Sequence, residues 1–196
     1  MRTAGGGGRG SARPAVVICH GRDESQDWGF FPPTAERLAR AGFSAISFTF
    51  PGSPALRDLD IVLETLMRGE LGGGVVPSAL GLLGHSLGGA IAVQRTARDP
   101  EVAALVTWGA PVSPELLRAA EAVRAPWLIV HGEKDESVAV QAAQDLKRAT
   151  TSAVAELLLI KGGSHTFSVG HPWQGPTRAF DIALNATVDW FAKHLA

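Results

Sequence analysis

Short apolar segments and helix-forming segments alternate along the chain from residue 14 onward, and that alternation restricts the fold more than any other property of the sequence. Six β-rich apolar runs occupy 15–19 (AVVIC), 44–50 (SAISFTF), 79–83 (ALGLL), 102–108 (VAALVTW), 127–130 (WLIV) and 154–160 (VAELLLI). Each is apolar on both alternations, as a strand covered on two faces must be. Helical segments fill 34–41, 55–70, 87–98, 114–123, 138–149 and 177–194. The segment 138–149, rich in Ala, Gln and Lys, suits a solvated helix, whereas 177–194 sets Phe180, Ala183, Leu184, Thr187, Val188 and Phe191 on one stripe suited to core packing. Strands alternating with helices imply right-handed crossovers and a parallel sheet. The expected fold is α/β: a doubly wound, mostly parallel six-stranded sheet with helices on both faces.

Composition narrows the function classes. The 196 residues are 45% apolar and 19% charged, which excludes an intrinsically disordered chain and allows a sizeable core in one domain, 14–196. Residues 1–13, MRTAGGGGRGSAR, lack the apolar region of a signal peptide and read as a flexible Gly/Arg-rich leader. The glycines at 72–74 form a local loop between a helix and a strand rather than a domain boundary. With 18 Lys+Arg against 19 Asp+Glu, the net charge of −1 offers no electrostatic reason to expect nucleic acid or an anionic membrane as partner. The single Cys cannot form an internal disulfide, and no run of 18 apolar residues is present, so a cytoplasmic, non-membrane protein is expected.

The strongest local signal is Gly84-His85-Ser86-Leu87-Gly88-Gly89, placed between the run ALGLL and the helix-forming AIAVQRTA. This is the G-x-S-x-G pattern in the strand–turn–helix setting that its mechanics require. A serine hydroxyl becomes a useful nucleophile only when it is lifted out of its surroundings and given a base. A sharp turn exposes Ser86 Oγ, flanking glycines let strand and helix approach closely, and the helix N-terminus favours developing negative charge.

On these residues the chain resembles the α/β-hydrolase superfamily over 14–196. The resemblance implies an acid after a late strand and a histidine after the last strand, in the order Ser…Asp…His. His131-Gly132-Glu133-Lys134-Asp135 follows WLIV, and Gly162-Gly163-Ser164-His165 follows VAELLLI. Ser86, Asp135 and His165 are thus the implied triad, with His165 as the base and Asp135 holding its tautomer. Glu133 is a rival acid, and His171, in the same long loop, is a rival base. His20 and His131 end strands beside glycines and read as structural, His85 fills the variable position of the motif, and His194 sits at a helix C-terminus. The resemblance also implies an oxyanion hole made of two backbone N–H groups, Leu87 after the nucleophile and Arg22 after His20-Gly21. The Arg22 side chain is either solvated or paired with Asp23 or Glu24.

Only the sixteen residues 110–125 separate the fourth and fifth runs, too few for a cap domain. The chain therefore resembles the capless serine esterases and the dienelactone-hydrolase-like group, although the dienelactone enzymes usually carry Cys where this chain has Ser86. The implied function is a serine carboxylesterase that hydrolyses small-molecule esters of short acyl chain through an acyl-enzyme, without metal or cofactor. Trp28, Phe30, Trp108, Phe167 and His171 are the candidate walls of the acyl site, and Phe31 and Trp173 lie in the same loops. A peptidase or thioesterase on the same triad, and a binding protein that has lost turnover, are the competing functions.

Overall fold

The computed structural model describes residues 2–4, 12–71 and 74–195. Its centre is a seven-stranded sheet of order β1-β3-β2-β4-β5-β6-β7, formed by β1 (Arg2–Ala4), β2 (Ala15–Cys19), β3 (Ser44–Ser47), β4 (Leu80–His85), β5 (Val102–Trp108), β6 (Trp127–Gly132) and β7 (Ala155–Ile160). The last six pair in parallel. They are the six runs expected from sequence, with β3 ending earlier and β4 and β6 running two residues further.

The seventh strand corrects one expectation. Arg2–Ala4 falls in the segment read as a flexible leader, yet its backbone pairs antiparallel with β3, Arg2 opposite Ser47 and Ala4 opposite Ala45. An edge strand presents unpaired N–H and C=O groups that any short extended segment can satisfy, whatever its side-chain pattern. Residues 5–11 of the same segment lie outside the described residues.

Helices cover both faces. On one side α1 (Phe31–Arg40) and α6 (Arg178–His194) pack Phe31, Ala35, Leu38, Phe180, Ala183 and Phe191 onto Val16, Ile18, Val106 and Trp108. On the other, α2 (Leu56–Met67), α3 (Leu87–Thr96), α4 (Pro114–Ala122) and α5 (Val140–Ala149) bring Leu59, Leu63, Val93, Leu116 and Leu146 against Val17, Leu82, Leu105 and Ile129. Alternate residues of each strand thus enter opposite cores, which is why the runs are apolar on both alternations. Each fully buried Leu, Ile or Phe contributes about 1.5–3 kcal/mol. The helix α1 starts earlier than expected because Pro32 and Pro33 occupy its first turn, where no intrahelical N–H is required. Between β5 and β6 stands the one short helix α4, capped by Ser113, whose side chain accepts from Leu116 N. Among the described residues no helix is long and apolar enough to cross a membrane.

From β2 the chain steps to β3 on one side and then to β4 on the other, so the C-terminal ends of β2 and β4 lie together, Cys19 level with Gly84. This is the switch point at which open α/β sheets form their clefts.

Two buried tryptophans bond through their indole N–H groups, one within the sheet and one from the sheet to α6. Trp127 Nε1 donates to Thr107 Oγ1, and Trp108 Nε1 donates to Thr187 Oγ1 of α6, both at 3.0 Å. Thr187→Val keeps the shape and leaves the Trp108 N–H buried without an acceptor. It should lower the unfolding free energy in urea by about 1–3 kcal/mol, with Thr187→Ser close to the parent. A Thr187→Val protein as stable as the parent would show that the bond contributes nothing net.

Candidate active site

Four loops at the C-terminal edge of the sheet meet around Ser86. Ser86 is the single residue between β4 and α3, with φ 51° and ψ −125°, a conformation in which a non-glycine residue is held only when its surroundings over-determine it. The restraint is visible. Ser86 N donates to Trp108 O at 2.8 Å, and Ser86 O accepts from the N–H groups of Gly89 and Ala90 to begin α3. A Cβ at Gly84 would lie 2.5 Å from Gly88 O, and one at Gly88 would collide with the carbonyls of Cys19 and His20. Any larger residue at either glycine would push the helix away from β2 and withdraw Ser86 from the loop beyond it.

The loop after β6 supplies Asp135. Its side chain is fully buried, and both oxygens are occupied by donors. Oδ1 accepts from Ser137 N and Val138 N at 2.9 and 2.8 Å, while Oδ2 accepts from His165 Nδ1 at 2.7 Å. Burial by itself raises the carboxyl pKa. The His165 hydrogen bond and the two backbone N–H groups outweigh it and hold Asp135 below the ordinary aspartate value. His131, read as structural, is buried and donates from Nε2 to Val138 O at 2.9 Å, with the same nitrogen 3.3 Å from Asp135 Oδ2, so it pins the turn that presents the carboxylate. Glu133, the rival acid, is exposed.

His165 follows β7 in a loop held by its own hydrogen bonds. Ser168 N donates to Ser164 Oγ, Thr166 Oγ1 to Val169 O, and Thr177 Oγ1 to Phe167 O. Phe167 and Ser168 both take positive φ, at 53° and 62°. With Asp135 accepting at Nδ1, that nitrogen carries the proton and Nε2 keeps its lone pair. The other side of the pair faces the end of β5, where a Cβ at Gly109 would lie 3.1 Å from His165 Nδ1 and 3.3 Å from Asp135 Oδ2. Ser86 Oγ and His165 are not hydrogen-bonded, and such contacts commonly tighten only when substrate arrives. His171, the rival base, lies elsewhere, stacked on Trp28 at 5.8 Å and accepting from Gly29 N at 3.2 Å.

The loop after β2 carries Arg22. His20 Nε2 accepts from Phe50 N at 2.9 Å, so its proton resides on Nδ1, which donates to Gly21 O at 2.7 Å. Desolvation pulls the His20 pKa down and keeps this neutral form. Because the peptide is planar and trans, anchoring Gly21 O on the His20 ring turns the Arg22 N–H the opposite way. Among the described residues neither Arg22 N nor Leu87 N has a protein acceptor. The Arg22 side chain is exposed and makes no ion pair among the described residues.

Three candidate wall residues are corrected. Phe30, Trp108 and Phe167 are each 0% exposed and pack on one another, with ring centroids 5.4–6.5 Å apart, so they support the site from below and offer no surface to a ligand. Large aromatics at strand ends carry no local mark that separates a wall from a floor. Trp28 is half-buried, and His171 and Trp173 are exposed. Sequence reasoning did not connect Glu24 with His85, which bond to each other across 61 residues.

The family model of the dienelactone hydrolase family matches residues 57–195. No curated protein sequence matches the chain. Among solved structures it is similar to a dienelactone hydrolase from Anabaena variabilis, at 22% identity and TM-score 0.75 over 94% of this chain and 88% of that one. It is also similar to the Pyrococcus furiosus esterase Pf2001, at 16% identity and TM-score 0.79 over 95% and 85%. A third is Est1E from Butyrivibrio proteoclasticus with ferulic acid bound, at 15% identity and TM-score 0.80 over 98% and 94%.

Removing the Asp135 charge gives a test independent of turnover. A carboxyl whose folded pKa is depressed contributes stability in full above its ordinary value, near 3.8, and loses it as pH falls toward the lower folded value. Asp135→Asn should therefore flatten the fall in unfolding free energy below about pH 4. An unchanged acid slope would contradict the assignment of Asp135 as a strongly paired carboxylate.

Proposed function

From the family to which the chain belongs, the dienelactone hydrolase family, we propose that it hydrolyses short-chain carboxylic esters through Ser86, His165 and Asp135. The observation that carries the reading is the 2.7 Å bond from His165 Nδ1 to the buried Asp135 carboxylate, beside a serine at φ 51° on the turn between β4 and α3.

In this mechanism His165 Nε2 takes the proton of Ser86 Oγ as the oxygen bonds to the ester carbonyl carbon. The carbonyl electron pair moves onto oxygen, where the N–H groups of Arg22 and Leu87 receive it. Collapse of the tetrahedral species breaks the bond to the alcohol oxygen, which takes the proton from His165, and an acyl-Ser86 remains. Water then repeats the sequence, giving its proton to His165 and releasing the acid and the Ser86 hydroxyl. Asp135 stays ionised throughout and stabilises the imidazolium. Position 86 is Ser rather than the Cys of the dienelactone enzymes, which favours simple carboxylic esters over dienelactone.

The expected short acyl preference rests on the walls. With Phe30, Trp108 and Phe167 in the core, the exposed apolar surface at the mouth falls to Trp28 and Trp173, flanked by His171. Among the described residues the stretch between β5 and β6 contains only α4 and no cap. A long acyl chain gains about 0.8 kcal/mol per CH₂ only where a groove buries it. Across a p-nitrophenyl ester series, kcat/KM should peak at roughly two to six acyl carbons and fall by on the order of 10⁴ in Ser86→Ala and His165→Ala, while His171→Ala stays within about tenfold. A maximum at twelve carbons, or loss in His171→Ala with retention in His165→Ala, would overturn the reading.

A further inference from the structure

Immediately before the nucleophile, His85 is buried with a side chain that is 0% exposed, and the mechanism above gives it no task. Its ring is nonetheless fully bonded. Nε2 lies 3.1 Å from the carbonyl oxygen of His165, and Nδ1 lies 3.0 Å from Glu24 Oε2. The same Glu24 oxygen accepts from Gly21 N at 2.6 Å. Glu24 belongs to the loop after β2 that carries Arg22, and His165 O belongs to the loop after β7 that carries the base. One side chain on β4 therefore ties the two loops together.

We propose that Glu24 and His85 form a clamp that positions the base and the oxyanion peptide relative to Ser86, both acting as positioning residues. The inference rests on the function proposed above and assigns two residues to it.

Proton counting supports the clamp. A carbonyl oxygen only accepts, so His85 Nε2 must donate to His165 O. The Nδ1 contact needs a second proton between the ring and the carboxyl. That proton is shared between Nδ1 and the Glu24 carboxyl, whose pKa burial raises but which the His85 hydrogen bond, the Gly21 N–H and the nearby His20 bring below the ordinary glutamate value. A single Glu24 oxygen serves both Gly21 N and His85, and Gln at this position keeps an accepting oxygen but not the carboxylate charge. The remaining surroundings hold the ring in place. Phe30 and Phe31 pack against it at 5.1 and 6.2 Å, and the His165 ring lies 4.8 Å away. His85 thus acts on the backbone of His165, at the residue whose side chain Asp135 already orients, and the two restraints together determine where Nε2 points. A displacement of about 1 Å at such a group can cost on the order of 10² in rate.

The test compares His85→Phe, His85→Gln, Glu24→Gln, the double variant Glu24→Gln/His85→Phe and Ser86→Ala in the full chain, on p-nitrophenyl butyrate. Rates of the proteins that keep Ser86 are expressed per Ser86 titrated to its endpoint by a fluorophosphonate, so that misfolded protein is not counted, and the rate of Ser86→Ala is expressed per total protein. His85→Phe keeps the ring contacts and should lower kcat by about 10²-fold with KM within about threefold. His85→Gln retains one donor at the position of Nε2 and should recover about tenfold of that loss. Glu24→Gln should lower kcat by about tenfold, and the double variant should be no slower than His85→Phe, because the two residues act as one unit. A loss confined to KM, a loss that vanishes per titrated site, or additive single losses would overturn the clamp. If Ser86→Ala is inactive while His85→Phe turns over like the parent, the clamp alone fails. If Ser86→Ala keeps its activity, the reading of the site fails and the clamp with it.

Discussion

The helix α3 begins flush against the backbone at the end of β2, and the rest of the site depends on that contact. Two carbonyls, of Cys19 and His20, occupy the space that a side chain at Gly88 would need. The approach forces the chain to reverse within one residue, which drives Ser86 to positive φ and leaves Leu87 N at the start of a helix with no acceptor among the described residues. It also brings the loop carrying Arg22 beside Ser86, where a Cβ at Gly21 would lie 3.0 Å from Ser86 Cβ. The topology makes the contact available by setting β2 and β4 side by side, and two glycines at the crossing, Gly84 and Gly88, allow it to close.

Around this centre the polar groups are arranged so that few choices remain. Asp135 receives a ring N–H and two backbone N–H groups, which keeps it ionised and fixes the tautomer of His165. His20 bonds Phe50 N through one nitrogen and Gly21 O through the other, which fixes its own tautomer and the direction of the next peptide. Buried polar groups of this kind are costly when any member lacks a partner. The orientation of the groups around Ser86 is therefore built into the folded state, the kind of fixed arrangement that electrostatic preorganisation requires.

Much of this was legible in the sequence, because the signals were local. Strands with two buried faces must be apolar on both alternations, and 15–19 and 102–108 show that plainly. Gly84-His85-Ser86-Leu87-Gly88 names its own turn, and a histidine placed directly after the last strand, His165, is the one set against Asp135. What escaped had no local signal. Arg2–Ala4 forms a strand only because β3 offers an open edge, and three residues carry no periodicity. Phe30, Trp108 and Phe167 have the same composition whether they line a cleft or support it, and three-dimensional packing alone decides that they are buried. Glu24, which stood beside Asp23 and solvent as one option for the Arg22 side chain, instead bonds His85, because a sequence neighbour in water competes poorly with a buried ring held in place by Phe30 and Phe31.

The central claim is that Ser86 becomes covalently acylated and that the His165–Asp135 pair makes it reactive. It is met most directly by quenching the protein in acid during turnover of a short p-nitrophenyl ester and weighing the peptide that contains Gly84-His85-Ser86. The account predicts an added acyl group on Ser86 in the parent protein and in a deacylation-slowed reaction at low temperature, and none in His165→Ala. An acyl group on another residue, or equal acylation of Ser86 in His165→Ala, would contradict it.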